Sequence, residues 1–225
     1  ALERQTYTLR SRGSWELSPP GSGALQVGLA TEGGVRRITA FACEAAQKRQ
    51  ESRLILASKA NAMPQLYGFW EEVARDEARR HHMPLDVVNV DALCYHLVRS
   101  PEKYRTLLCP NMFGDIVSDL LGALAGGLGL AAGANLGSGL GMFEPVHGSA
   151  PDIAGRGIAN PLAAILSAGL LLESLNEPEA ASAVHRAVER ALEQSPRENL
   201  PRELGGHAST RAVGETVVAC LEEGP

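Results

Sequence analysis

The chain of 225 residues is long enough for one large domain or two small ones with a buried core. Apolar residues make up 44% and charged residues 21%, which excludes wholesale disorder and a fibrous repeat. The net charge is -5 and no basic block is interleaved with aromatic residues, so no nucleic acid partner is expected. Small-molecule chemistry is therefore favoured.

The predicted elements alternate between strands and helices along the chain. Residues 5–10 are predicted as a strand that leads into a Pro- and Gly-rich loop or arm over residues 11–34. Apolar spacing then predicts helices over 35–50, 66–80, 92–99 and 112–124, separated by short strands over 53–57, 85–90 and 106–109. This alternation indicates an α/β protein.

The second half of the chain begins with a glycine-dense stretch, residues 126–141, which is predicted to form loops and tight turns. Pro161 is predicted to begin a helix that runs to residue 175, is apolar nearly all round and is therefore expected to be buried. Residues 178–194 and 210–222 are predicted as amphipathic helices.

Cysteine usage and hydropathy predict where the protein resides. Cys43, Cys94, Cys109 and Cys220 lie far apart without a CxxC pair, which fits neither a disulfide framework nor a zinc site. The N-terminus lacks an apolar core of signal-peptide length, and the most apolar later stretch is too short to span a bilayer. A cytoplasmic protein in a reducing compartment, with no membrane partner, is expected.

Lys59 is one of only three lysines, and it follows the predicted strand RLILA directly. A βα turn there would place it at the carboxyl end of a sheet, where ligand clefts usually lie. Its amine can act as a general base or hold a substrate carboxylate. A lysine that snorkels from a strand end is an equally good interpretation.

Two aspartates, Asp115 and Asp119, stand four residues apart in NMFGDIVSDL. On a helix their carboxylates project from one face, where two like charges repel each other. A divalent cation between them would remove the repulsion, and oxygen ligands suit Mg²⁺ or Mn²⁺ rather than zinc. An isolated DxxxD pattern is more often a solvated acidic face, so both interpretations stay open.

The stretch EPVHGSAPDIAGRGIANP is rich in glycine and proline, and the exposed amides of such a loop can surround a nucleotide. His147 has no second His or Cys at ligand spacing, which favours a stacking or structural role. The run from Gly127 to Ala132 fits GxGxxA, but it follows a predicted helix rather than a strand. A dinucleotide fingerprint is therefore not expected there.

Together these stretches resemble the β-decarboxylating dehydrogenases, the family of 3-isopropylmalate, isocitrate, homoisocitrate, tartrate and D-malate dehydrogenases. The resemblance is closest to the 3-isopropylmalate branch, and it is carried by SKANAM, PNMFGDIVSDL, MFEPVHGSAPDIAGRGIANP and LGGHAST, in the family's order. It implies the family's α/β fold, incomplete at the N-terminus. Residues 1–125 would form a smaller, dimer-forming domain with the metal-site helix, and residues 126–225 the C-terminal part of the larger nucleotide-binding domain.

The resemblance also implies roles for individual residues. Lys59 matches a catalytic lysine that removes the hydroxyl proton and reaches into the neighbouring subunit's site. Asp91 matches an aspartate that crosses the dimer interface to the metal, and Tyr7 lies roughly where the catalytic tyrosine is expected. Asp115 and Asp119 match the metal-binding carboxylates of the home subunit, with Mg²⁺ or Mn²⁺ as the ion.

The NAD-binding loop of the family maps onto Glu144, His147, Gly148, Ser149, Ala150, Pro151, Asp152, Ile153 and Asn160. In that loop an aspartate accepts hydrogen bonds from the adenosine ribose hydroxyls and repels a 2′-phosphate. Asp152 therefore predicts NAD rather than NADP as the cofactor.

The implied reaction is NAD-dependent oxidative decarboxylation of a 2-hydroxy diacid or triacid, with 3-isopropylmalate, a leucine-biosynthesis substrate, expected first. A homodimer with shared active sites is implied as well. Family members begin with a βαβ segment that has no counterpart in this chain. The alternative expectation is therefore a truncated, non-catalytic subunit or fragment with a structural or regulatory role.

Overall fold

The computed structural model describes residues 28–137 and 139–223. The helices are α1 (Glu32–Lys48), α2 (Pro64–Arg80), α3 (Val90–Arg99), α4 (Asn111–Leu124), α5 (Leu162–Ser174), α6 (Pro178–Gln194) and α7 (Thr210–Glu222). The strands are β1 (Leu54–Ser58), β2 (Leu85–Asn89), β3 (Leu107–Leu108), β4 (Ala132–Leu136) and β5 (Gly141–Pro145). The predicted α/β class is confirmed. The predicted strand over residues 5–10, Tyr7 and most of the predicted arm lie outside the described residues.

Strand β1 is the centre of a parallel sheet with the strand order β2-β1-β3, and all of its residues are buried. Successive side chains of a strand point to opposite faces. Leu54 and Leu56 accordingly pack with residues of α1 and α2, while Ile55 and Ala57 pack in a second cluster with residues of α3 and α4. Burial on both faces explains why β1 is a continuous apolar run in the sequence.

Helix α1 begins three residues before its predicted start. The Thr31 hydroxyl accepts a hydrogen bond from the Gly34 amide at 3.2 Å, which caps the first turn. Gly33 and Gly34, which composition assigned to the arm, therefore belong to the helix.

The prediction of loops throughout residues 126–141 is wrong for part of that stretch. Strand β4 pairs antiparallel with β5, in a register that joins Ala132 to Pro145 and Leu136 to Gly141. The hairpin packs on α5. Glycine content predicts flexibility, but here tertiary packing outweighs the low strand propensity of a glycine-rich segment.

The predicted burial of the whole helix from residue 162 to residue 175 is also wrong. Its N-terminal end is fully buried at Leu162, but Leu171 is 39% exposed and Leu175, just past the end of α5, is 61% exposed. Among the described residues, α5 packs mainly on α6 and on the hairpin. An apolar helix whose neighbours cover only part of its surface keeps exposed apolar side chains.

The buried side chains of the described residues form separate clusters. Two surround the parallel sheet, with members up to Leu121, and a third lies among α5, α6 and α7, with members from Leu130 onward. The domain boundary near residue 125 falls between them and stays a prediction. In the part of the chain that the structure describes, no helix has the length and apolar character needed to cross a bilayer.

Candidate active site

Lys59 and Asp91 lie at the same edge of the parallel sheet. Lys59 directly follows β1, and Asp91 lies in the first turn of α3, just after β2. Because the two strands are parallel and paired up to Ser58 and Asn89, their carboxyl ends coincide. The Lys59 Nζ donates a hydrogen bond to Asp91 Oδ1 at 2.8 Å. Lys59 is thus at the carboxyl edge that its βα turn predicts, and its chemical role stays a prediction.

The ion pair between Lys59 and Asp91 is accessible from outside. The Lys59 side chain is 27% exposed and that of Asp91 is 67% exposed. The hydrogen bond from Lys59 lowers the pKa of Asp91 below its ordinary value, and backbone hydrogen bonds at the start of α3 add to the effect. Asp91 is therefore a carboxylate at neutral pH, and the exposed surface of the pair is open to a small charged ligand.

Asp115 and Asp119 lie on α4, as their spacing predicts, and both are exposed. Phe113 and Val117 hold the opposite side of this helix in the core. The two carboxylates therefore face outward, one helical turn apart. Both remain candidates for a metal site and for a solvated acidic face.

The described residues of one chain do not bring Asp91 together with Asp115 and Asp119. Within residues 28–137 and 139–223, no group of three or more His, Cys, Asp or Glu side chains is arranged to hold a metal ion. The resemblance predicts that Asp91 meets the other two carboxylates across a dimer interface, and this stays a prediction. The oxygen-only donor set fits Mg²⁺ or Mn²⁺ in its chemistry.

The predicted nucleotide loop is an exposed segment that follows β5. Glu144 lies on β5 and Asp152 lies in a short 3₁₀ turn, Pro151–Ile153, with its carboxylate exposed. Ala150, just before the turn, has a left-handed φ of 41°, a conformation that costs energy for a residue with a Cβ. The His147 Nδ1 lies 2.9 Å from the carbonyl oxygen of Gly148, and the role of His147 stays a prediction.

The end of the loop is fixed by α7 and by Asn160. Thr210 at the start of α7 donates its amide to the Gly157 carbonyl at 2.9 Å and its hydroxyl to the Ala159 carbonyl at 2.6 Å. The Asn160 Oδ1 accepts from the Leu162 amide at 3.1 Å. These bonds join the loop to the helices that follow it.

Glu203 is a candidate residue that the sequence analysis missed. It accepts a hydrogen bond from Asn160 Nδ2 at 3.0 Å. A Cβ at Gly129 would collide with its carboxylate and would lie 2.8 Å from the Asn160 Cβ. Gly129 and Gly127, which follow α4 rather than a strand, thus make room for Glu203. The 43-residue separation between Asn160 and Glu203 leaves no local signal for this pair.

Helices α3 and α4 carry large apolar side chains on their outer surfaces. Tyr95, Val98, Met112 and Ile116 are each between 55% and 58% exposed. Asp91 begins the first of these helices and Asp115 lies on the second. The exposed apolar surface therefore lies on the same two helices as the charged groups Asp91 and Asp115.

A groove of about 890 Å³ separates α1 and α4 from the β4–β5 hairpin and the end of α5. Phe41, Val117, Leu136 and Phe143 are among its lining residues. Among the described residues, the predicted catalytic, metal-binding and nucleotide-binding side chains do not line it.

A doubly covered parallel sheet with a lysine and an aspartate at its carboxyl edge defines an α/β enzyme-type scaffold. A family model described as isocitrate/isopropylmalate dehydrogenase matches residues 7–217. The chain belongs to the isocitrate/isopropylmalate dehydrogenase family, and the predicted family resemblance is confirmed.

Named relatives differ in the acids they use. An isocitrate/homoisocitrate dehydrogenase of Thermus thermophilus is 45% identical over 190 residues, which cover 83% of this chain and 55% of that protein. A 3-isopropylmalate dehydrogenase of Mycobacterium tuberculosis is 40% identical over 214 residues, covering 93% of this chain and 61% of that protein. The chain thus spans a little over half the length of these relatives.

The fold is shared with solved structures. The isocitrate dehydrogenase of Methylococcus capsulatus superposes with a TM-score of 0.83 at 35% identity, over 92% of this chain and 61% of that one. A β-decarboxylating dehydrogenase of Thermococcus kodakarensis gives a TM-score of 0.77 at 36% identity, over 88% and 58% of the respective chains. The family's fold is therefore confirmed, over part of the relatives' length.

Proposed function

We propose that this chain carries out, or supplies a large part of, NAD-dependent oxidative decarboxylation of a 2-hydroxy diacid or triacid, with 3-isopropylmalate as the first substrate to test. The observation that carries the proposal is the accessible pair of Lys59 and Asp91, with 2.8 Å between Nζ and Oδ1. It combines a proton-transfer group with a carboxylate at the edge of the sheet where α/β proteins bind ligands.

In the proposed reaction the Lys59 ammonium, paired with Asp91, first releases a proton to solvent, and the resulting amine then accepts the proton of the substrate hydroxyl. Asp91 holds that amine and limits its freedom. NAD, when bound, supplies the acceptor for the hydride from the hydroxyl-bearing carbon, and a divalent cation supplies positive charge beside the carbonyl oxygen. The β-carboxylate then leaves as CO₂, and Tyr7 protonates the resulting enolate.

The cofactor assignment rests on Asp152 and its surroundings. Asp152 is exposed in a short 3₁₀ turn of a loop whose end is held by hydrogen bonds from Thr210 of α7 and from Leu162 to Asn160. An exposed carboxylate can accept hydrogen bonds from ribose hydroxyls, and it repels a 2′-phosphate. The loop from Glu144 to Asn160 is therefore proposed to bind NAD.

We infer a homodimer that shares its active sites. Within one chain the pair of Lys59 and Asp91 is separate from the pair of Asp115 and Asp119, and the helices that carry the aspartates expose apolar side chains. Association through α3 and α4 would cover that apolar surface, and it would bring carboxylates of two copies to one cation.

The first test is NADH formation by the chain with 3-isopropylmalate, isocitrate and homoisocitrate, each in the presence of Mn²⁺. Turnover is expected with at least one acid, and Lys59→Met is expected to lower kcat by about 100-fold or more because the proton acceptor is lost. Lys103→Met, a change of another exposed lysine, should leave kcat at the wild-type value. No NADH from any acid would favour the non-catalytic alternative.

The second test concerns cofactor choice. Asp152→Lys is expected to weaken NAD binding and to shift preference toward NADP, because its ammonium would attract the 2′-phosphate. Dissociation constants for NAD and NADP, measured by calorimetry, give the readout. Glu189→Lys makes the same charge change at an exposed site on α6 and should leave both constants unchanged. Unchanged preference in the first variant would show that the loop is misassigned.

The third test concerns the metal. Binding of Mn²⁺ to the folded state should stabilise it by about 2.7 kcal/mol at a concentration 100 times Kd, a rise in Tm of roughly 5–10 °C. Asp115→Asn should remove most of the rise because it removes a ligand, whereas Glu189→Gln should keep it. The metal site would be refuted if the Tm of the wild-type chain did not change on addition of Mn²⁺, with NAD and a 2-hydroxy diacid also present.

The fourth test concerns self-association. The wild-type chain is expected to scatter light as a dimer at micromolar concentration, and Val98→Asp should yield monomers because it buries a charge in the interface. Val218→Asp is the matched control, since Val218 on α7 is 53% exposed and Val98 is 57% exposed. A monomeric wild-type chain, or a dimer that tolerates Val98→Asp, would contradict the proposed interface.

A further inference from the structure

Ser58, the residue before Lys59, is almost completely buried at the end of β1, with 2% of its surface exposed. A buried hydroxyl needs hydrogen-bond partners, since leaving it unpaired costs free energy. The Ser58 Oγ donates to Glu71 Oε1 at 2.6 Å and accepts from the Ala60 amide at 3.2 Å. The hydroxyl thus connects helix α2 to the backbone on the far side of Lys59.

The turn that contains Lys59 is held at its other end too. The Lys59 carbonyl accepts from the Ala62 amide at 3.0 Å and from the Met63 amide at 2.9 Å, just before α2 begins. On the strand side, Ser58 pairs with Asn89 of β2. The lysine backbone is therefore fixed before and after the residue, and only its side chain retains freedom.

Glu71 is the part of this arrangement that packing does not explain. It lies on α2 with 23% of its side chain exposed, and Arg75 on the same helix is 3.9 Å from its other oxygen. A carboxylate in a half-buried position loses hydration, which an apolar side chain of similar size would not. The short bond from Ser58 to a charged acceptor is of the stronger, charge-assisted kind.

We propose that Glu71 is a positioning residue that acts through Ser58 to hold the Lys59 turn, so that the lysine amine meets Asp91 and the substrate hydroxyl in one orientation. The inference rests on the proposed function for its catalytic part. Orientation of a reacting group contributes to rate because a displacement of about 1 Å can cost about 100-fold.

The test compares Glu71→Leu, Glu71→Gln and Glu72→Leu. Leu fills a similar space but cannot accept a hydrogen bond, Gln retains an accepting oxygen, and Glu72 is the exposed neighbour on the same helix. Amide hydrogen exchange at Ala60, followed by NMR, reports the turn without any need for turnover. Catalysis is followed by kcat relative to the wild-type value, and KM is measured separately.

Glu71→Leu is expected to speed exchange at Ala60 and to lower kcat about tenfold with little change in KM, since misorientation affects the reacting group more than binding. In Glu71→Gln the exchange rate at Ala60 and kcat should both stay within about threefold of the wild-type values. Glu72→Leu should match the wild type in both. Ser58→Ala, which removes the acceptor for the Ala60 amide directly, should reproduce the faster exchange. If Glu71→Leu fails to fold, Ser58→Ala provides the exchange measurement in its place.

Two results would overturn the inference while leaving the proposed function standing. One is wild-type exchange and kcat in Glu71→Leu, and the other is a loss of kcat that Glu71→Gln does not restore. A wild-type chain that forms no NADH would instead remove the proposed function, and faster exchange in Glu71→Leu would then restrict Glu71 to a structural role.

Discussion

The parallel pairing of β1 with β2 is the constraint on which the candidate site depends. Two parallel strands end at the same edge of a sheet, so residues that follow them become neighbours whatever their distance along the chain. Lys59 and Asp91 are 32 residues apart in sequence and 2.8 Å apart in space for this reason. Burial of β1 on both faces keeps that edge in place, because a slip by one residue would exchange its two apolar faces.

Within one chain, the charged residues of the candidate site lie in two separate groups, the pair of Lys59 and Asp91 and the pair of Asp115 and Asp119. The lysine-aspartate pair is close to neutral, whereas the two carboxylates of α4 repel each other and gain from a cation or from a second molecule that brings one. The exposed apolar residues on α3 and α4 lie on the same two helices as these acids. Catalysis, metal binding and self-association are thus coupled in the proposed function.

The part of the candidate site around Asn160 and Glu203 depends on the space that a glycine without a side chain leaves free. Gly129 lies where any side chain would meet Glu203 and Asn160, and the hydrogen bond between those two residues depends on that space. Thr210 then ties the preceding loop to α7. The exposed segment that carries Asp152 therefore emerges from a fixed base, which is the arrangement that a binding loop requires.

The sequence by itself determined the α/β class, most helix boundaries and the candidate residues, because apolar periodicity, helix-breaking residues and family motifs are local signals. The β4–β5 hairpin, the partial exposure of α5 and the partners of Asn160 and Ser58 were decided by tertiary structure. The first three depend on contacts between residues that are distant in the chain. The bond between Ser58 and Glu71 depends on helix α2 packing back over strand β1. Such contacts leave no periodic trace, since the physical interaction exists only once the elements have packed.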